Sequence, residues 1–186
     1  MAEPEERVKI FQIGSEVIRA VAKPVGTPLD AGDRALLQTM AIAMRQARLV
    51  GIAAPQVGVS KRIFLTEIPE TNGRGLAGDS LRVFINPQIV QFSEEKVVDY
   101  EGCGSVADAN LFGKVERSYA VTVRYLDQDG QESTGTFEGF LARIIQHEFD
   151  HLEGVVFTDK LHSMQSLMSG SEYRRMRAEE LAARQS

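Results

Sequence analysis

Apolar positions recur at helical spacing from Asp33 to Leu49, where Leu36, Leu37, Met40, Ala41, Met44 and Ala47 share one side. Arg34, Gln38, Arg45 and Gln46 fall mostly elsewhere, so an amphipathic helix is predicted, capped by Asp30 or Asp33. Ahead of it, Val8 to Gly32 has no period and is punctuated by Lys23-Pro24-Val25 and Thr27-Pro28, which predicts extended, irregular chain. After Gly51 the period shortens. Lys61–Ile68, Arg82–Asn86, Gln88–Phe92 and Lys96–Tyr100 are β-branched or aromatic runs separated by Gly, Pro and Asn, and read as short strands. Ala120–Leu126 puts Val121, Val123 and Tyr125 on one face, and Asp127-Gln128-Asp129-Gly130 turns it into a second strand, Gln131–Phe137. A helix follows from about Glu138 through Leu152, with Gly154 placed to end it. A last helix is predicted over Ser171–Ala183, capped by Ser171. The pattern describes a single α+β domain in which antiparallel strands pack around a central helix, with a further C-terminal helix. One domain is expected over residues 1–186, with a helical tail from about residue 164.

Composition narrows the function classes. The 186 residues carry a net charge of −5 and the pI is about 5.3, whereas proteins that grip nucleic acid through phosphates are usually basic; no nucleic-acid partner is expected. The acidic start Met1-Ala2-Glu3-Pro4-Glu5-Glu6-Arg7 has no apolar core of a signal peptide. No apolar run approaches the roughly 20 residues that span a bilayer. A cytoplasmic protein without a membrane partner is expected. Cys103 is the one cysteine, which suits a reducing compartment or a thiol with a chemical task.

That task becomes concrete beside His147-Glu148-Phe149-Asp150-His151. Residues four apart on a helix lie on one face with about 6 Å of rise between them, so two imidazoles can converge on one metal while Glu148 reaches a nearby water. The chain has three histidines, and two of them occupy this spacing. An exposed polar patch would be the alternative, but Phe140, Leu141, Ile144 and Ile145 just upstream predict a buried helix, where imidazoles and carboxylates need partners. A catalytic site takes a third protein ligand, and Cys103 in Glu101-Gly102-Cys103-Gly104-Ser105 is the natural one. A lone cysteine would otherwise read as a small buried hydrophobe. The small residues of Gly51-Ile52-Ala53-Ala54-Pro55-Gln56-Val57-Gly58 allow close backbone approach, and Gln56 offers an amide donor; alone, this segment would read as a packed turn.

Taken together and in order, Leu49-Val50-Gly51-Ile52-Ala53-Ala54-Pro55-Gln56, Glu101-Gly102-Cys103-Gly104-Ser105 and His147 to His151 resemble the three motifs of the peptide deformylases, G-x-G-x-A-A-x-Q, E-G-C-x-S and H-E-x-D-H. Ile18-Arg19 with Lys23-Pro24-Val25, Phe84-Ile85-Asn86-Pro87 and Ile144-Ile145-Gln146 extend the resemblance over about residues 10 to 161. The resemblance implies a metallohydrolase that removes the formyl group from the initiator methionine of nascent polypeptides, releasing formate. It implies Cys103, His147 and His151 as ligands of one divalent metal, Fe²⁺ in the cell, with Zn²⁺ or Ni²⁺ after aerobic purification. Glu148 would be the general base and acid, with the Gln56 side chain and the Gly104 backbone N–H facing the developing oxyanion. The substrate would lie along Val50 and Gly51 like an added strand. Phe140 and Ile144, on the His147 face, are nominated as walls of the methionine pocket, although plain core would suit them equally.

The chain departs from the family pattern at four places. Leu49 stands where glycine is usual, so a left-handed backbone there would cost energy. Gly104 replaces a larger residue, and Val115-Glu116-Arg117 replaces V-P-R, while Val106–Gly113 lacks a common arginine. Altered substrate grip or a divergent paralogue would account for these. A zinc-dependent endopeptidase using Glu172 as third ligand, and a metal-binding module without turnover, remain open alternatives. In some bacterial members a C-terminal helix docks at the ribosome, a candidate partner here; Tyr173, Met176 and Leu181 favour a helix packed on its own domain.

Overall fold

The computed structural model describes residues 7–70 and 78–185; the acidic stretch at residues 1–6, expected to carry no targeting signal, lies outside them. In chain order come helices α1 (Glu16–Arg19) and α2 (Ala31–Gln46), then strands β1 (Gly51–Ala53), β2 (Ile63–Ile68), β3 (Asp79–Phe92), β4 (Lys96–Gly102), β5 (Leu111–Ser118), β6 (Ala120–Leu126) and β7 (Glu132–Glu138). Helix α3 (Gly139–Leu152), the two-residue strand β8 (Met168–Ser169) and helix α4 (Gly170–Gln185) complete the chain. One antiparallel sheet has the order β1-β2-β3-β6-β7 and a second the order β4-β5-β8. This is the α+β architecture that the periodicity predicts.

Strand alternation decides how the layers stack. Ile63 and Leu65 of β2 and Val83 and Ile85 of β3 face α2, meeting Leu36, Met40 and Met44. Phe64 and Phe84, one residue out of phase, face α3 and pack with Val121, Val123, Phe137, Ala142 and Ile145. The five-stranded sheet is thus covered on both faces, which is why Ile63-Phe64-Leu65 reads as a continuous apolar run. A third cluster, with Ile18, Val106, Val115, Val156 and Phe157, surrounds Cys103 and joins β5 to α1 and the segment after α3. Helix α2 begins with a reciprocal capping box, in which the Asp33 N–H donates to Asp30 and the Asp30 N–H to Asp33.

One expected boundary changes in the structure, and one strand was not anticipated. Asn86-Pro87, expected to separate two strands, lies inside β3. Asn86 takes a left-handed conformation (φ 49°), its side chain bonds both the N–H and the C=O of Val25 at 2.8 Å, and the register with β6 shifts there. The break is therefore a bulge. Strand β5 is not announced by its sequence, since Gly113, Lys114 and Glu116 dilute its apolar content; pairing with β4 along its whole length creates it. The C-terminal helix packs on its own domain, as Tyr173 favoured. Strand β8 pairs with β5, and Tyr173 stacks on Phe112 with ring centroids 4.0 Å apart and planes 8° apart. The ion pairs along α4, Arg175 with Glu172 and Glu179 and Arg177 with Glu180, are exposed and contribute little.

Helix α3 ends at Gly154, which is left-handed (φ 71°) and lies directly against the backbone carbonyl of Arg19. Gly154→Ala combines an unfavourable φ with a backbone clash that no rotamer relieves. It should cost more than the roughly 1–2 kcal/mol of the conformation alone, read as a drop in the urea midpoint.

Candidate metal centre

Helix α3 crosses beneath β1 and β5 and carries an unusual load of buried polar groups: Arg143, Gln146, Glu148, Asp150 and His151. Each is buried because the helix has sheet or strand on several sides, and each must find a partner there. His147 and His151 turn toward Cys103, which follows directly after β4. The candidate ligand atoms of Cys103, His147 and His151 all lie within 4.8 Å of one another, and Cys103 Sγ is 3.1 Å from His151 Nε2. The outward nitrogen of His147 is already committed, since Nδ1 bonds Glu101 Oε2 at 2.9 Å, leaving Nε2 for the centre.

Electrostatics fit a cation. Burial by itself would raise the Cys103 thiol, but the neighbouring imidazoles, His151 foremost, outweigh it and bring the group down to about 5. His147 is opposed by burial yet raised well above its usual range, because Cys103 and Glu101 flank it. A buried thiolate that pulls a proton onto the adjacent His147 imidazole is a donor set suited to a cation, and one sulfur and two nitrogens fit a divalent metal. Glu148 is buried beside these groups. Burial pushes its carboxyl up to about 7, and among the described residues Oε2 has no hydrogen-bond partner. A carboxyl in that state is poised to exchange a proton.

Of the remaining predicted residues, Gln56, Gly51 and Ile144 lie around the same point. Gln56, buried after β1, is oriented by the Ala53 N–H, which donates to its Oε1 at 2.8 Å; its Nε2 faces Cys103 Sγ at 3.7 Å and Ser105 Oγ at 3.2 Å. The Ser105 N–H donates to Cys103 Sγ at 3.3 Å. Gly104 is buried, and among the described residues no acceptor takes its N–H. Gly51 lies so close to α3 that an added Cβ would fall 2.5 Å from Glu148 Oε1 and 2.8 Å from Ile144 Cγ2. Ile144 therefore borders the centre, while Phe140 is half-buried one turn earlier. Strand β1 is the edge of its sheet, with Val50 accepting from the Glu67 N–H at 3.0 Å. Leu49 is not left-handed; Arg48 takes that conformation (φ 55°) after α2, so the expected strain at Leu49 is absent. The Leu49 side chain instead caps Gly104, where a Cβ would lie 2.8 Å from its Cδ1.

A buried ionic network behind the ligands was not legible beforehand. Glu101 accepts from His147, from Arg117 Nε and Nη2 at 2.9 Å each, and from Arg143 Nη1 at 2.8 Å. Burial alone would raise the Glu101 carboxyl, but these partners hold it well below the usual carboxylate range. Arg117 also reaches Asp150 at 2.5 Å, and Lys160 Nζ bonds the other Asp150 oxygen at 2.6 Å. Glu101 and Asp150 stand inside the motifs quoted above, which is the signal that could have pointed to them. Glu172, the alternative third ligand, is exposed on α4 and paired with Arg175 at 2.8 Å.

Comparison with known proteins agrees with this arrangement. The sequence model of the family described as polypeptide deformylase matches residues 7–167. The peptide deformylase of Halothermothrix orenii is 44% identical over 154 residues, covering 83% of this chain and 93% of that protein. That of Rhizobium meliloti is 42% identical over 148 residues, covering 80% and 81%. Among solved structures, the class I type b peptide deformylase from Acinetobacter baumannii bound to Met-Ala-Ser superposes with a TM-score of 0.78 at 34% identity, covering 85% of this chain and all of that one. The peptide deformylase from Thermotoga maritima gives 0.74 at 34% identity, covering 86% and 100%. With the likeness running through the fold and through all three segments that meet at Cys103, the chain belongs to the polypeptide deformylase family.

Proposed function

We propose that this chain is a metal-dependent hydrolase that removes the N-formyl group from the initiator methionine of nascent polypeptides, releasing formate. The observation that carries the assignment of residues is the meeting of Cys103, His147 and His151 with the unpartnered Glu148 carboxyl and the Gln56 amide. A divalent metal held by the first three would supply Lewis-acid activation of water and polarisation of the formyl carbonyl. Glu148 takes a proton from the water as its oxygen bonds the formyl carbon. The same carboxyl then returns a proton to the nitrogen as the C–N bond breaks, leaving formate and a free amino terminus. The Gln56 side chain and the Gly104 N–H donate to the oxyanion as it develops.

The substrate backbone pairs with the open edge at Val50 and Gly51. Ile144, with Phe140 a turn away, walls the methionine side chain. The Met-Ala-Ser peptide bound by the A. baumannii relative supports a cleft of this kind. Fe²⁺ is the metal proposed in the cell, as the family resemblance implies; it binds such donors less tightly than Zn²⁺ or Ni²⁺, which would replace it during aerobic purification. The whole chain acts as one catalytic domain in the cytoplasm, where formylated chains emerge. Among the described residues no helix is long and apolar enough to cross a membrane. The ribosome is a natural partner, with α4 as the candidate contact.

The test is formate release from a short formyl-methionyl peptide by protein loaded anaerobically with Fe²⁺. Wild type should turn over and bind one metal per chain, Cys103→Ala should lose the metal, and Glu172→Ala should keep it. Metal lost from Glu172→Ala and kept in Cys103→Ala would reverse the assignment in favour of a peptidase site.

A further inference from the structure

The segment after Cys103 is held in an uncommon shape. Ala107, Asp108 and Ala109 are consecutively left-handed, with φ of 49°, 51° and 59°. L-residues adopt this conformation singly and at a cost, so three in succession persist only where the surroundings hold them. Part of the hold comes from the other end of the chain. The Phe11 N–H donates to Gln56 O and the Ile13 N–H to Ser105 O, both at 2.8 Å, laying residues 11–13 across two of the segments that meet at the centre. Between them, Gln12 Nε2 donates to Gly104 O at 2.8 Å, and Gln12 Oε1 accepts from the Asp108 N–H at 3.1 Å. One amide thus spans the loop from the residue after the metal ligand to the middle of the left-handed turn.

Gly104 has no side chain to fix its backbone, and glycine rotates freely where nothing restrains it. Its C=O lies in the peptide plane after it and its N–H in the plane before, so anchoring the carbonyl fixes one side of the glycine and narrows the directions open to the N–H on the other. We propose that Gln12 is a positioning residue for the hydrolytic centre: by clamping Gly104 O and the Asp108 N–H together, it aims the Gly104 N–H at the reacting carbonyl. The inference rests on the oxyanion role given to Gly104 above. It assigns a function to an N-terminal residue that touches neither metal ligand nor substrate.

The two hydrogen bonds are separable. Gln12→Glu keeps an acceptor for the Asp108 N–H but cannot donate to Gly104 O, while Gln12→Ala removes both. On metal-loaded protein, kcat per bound metal should fall about tenfold in both variants, the worth of one well-placed hydrogen bond, with KM within about twofold of wild type. Metal content and melting temperature should stay near wild type in Gln12→Glu. Hydrogen exchange across residues 104–110, followed by mass spectrometry, should accelerate in Gln12→Ala and less in Gln12→Glu. Unchanged kcat per metal in both variants overturns the proposal, as does unchanged exchange in Gln12→Ala. A purely structural role would lower melting temperature and metal content together and leave kcat per bound metal intact. Should wild type itself release no formate, the functional reading fails separately, and the exchange rates still decide whether Gln12 clamps the loop.

Discussion

Glu148→Gln should lower formate release by about 10³-fold, within the range of positioned general acid–base groups, while metal content stays at one per chain. The amide has the volume of the carboxyl, so it fits the space that Gly51 leaves between β1 and α3. It cannot accept the water's proton. Folding should not suffer, because Glu148 is buried with an unpartnered oxygen and a neutral amide is less costly to desolvate. A pH signature follows in metal-free protein. The Glu148 carboxyl is raised from 4.5 to about 7, so the folded state binds a proton that the unfolded state has released between those values. Its contribution is fully present below about 4.5 and lost as the pH rises toward 7. Relative to Glu148→Gln, metal-free wild type should therefore lose stability across that window, as measured by urea unfolding at several pH values. Activity above a tenth of wild type in the variant would remove Glu148 from the role of general base.

Arg117→Met should be among the most destabilising single changes in the protein. Arg117 is 4% exposed and holds Glu101 through two hydrogen bonds and Asp150 through a third. Removing one partner of a buried ion pair leaves an uncompensated charge, at a cost of roughly 3–5 kcal/mol. Asp150 retains Lys160, and Glu101 retains Arg143 and His147, which places the expected loss toward the lower end of that range. The second consequence is functional. Glu101 orients His147 through Nδ1, and disturbing such a partner typically weakens metal binding about 10–100-fold. The sign of the acid response is also set. Glu101 titrates below its unfolded value of 4.5 in the folded protein, so its stabilisation is complete above 4.5 and lost as the pH falls below it. Without Arg117 the folded-state value rises, and acid unfolding should begin at higher pH. An unfolding free energy within about 0.5 kcal/mol of wild type together with unaltered metal affinity would show that the network is dispensable.

The two variants probe different layers of one site. In the proposed mechanism Glu148 acts on the substrate directly, whereas Arg117 acts through Glu101 on the ring of His147. Loss of turnover without loss of metal, set against loss of metal with loss of stability, separates chemistry from support.

Helix α3, its inward face and the pairing of His147 with His151 were legible in the sequence, because helix geometry is local and a four-residue spacing fixes a shared face. That Cys103 would meet them, as the proposed third ligand, followed from chemical need. The turn at Asp127–Gly130 and the cap at Asp30 were readable for the same reason, each depending on a few adjacent residues. What escaped depends on segments far apart in the chain. Strand β5 exists because β4 pairs with it, and β3 passes through Pro87 because Asn86 is held by Val25, sixty-one residues away. Glu101 meets His147 across 46 positions, and Gln12 meets Gly104 across 92. The strain expected at Leu49 fell instead on Arg48, a choice made by how α2 ends and how Leu49 covers Gly104. The sequence by itself determined the candidate donor residues, the faces of the elements and the family. Only the tertiary structure decided which charged groups stand behind each ligand, since those contacts are selected by burial and packing, to which local propensity is blind.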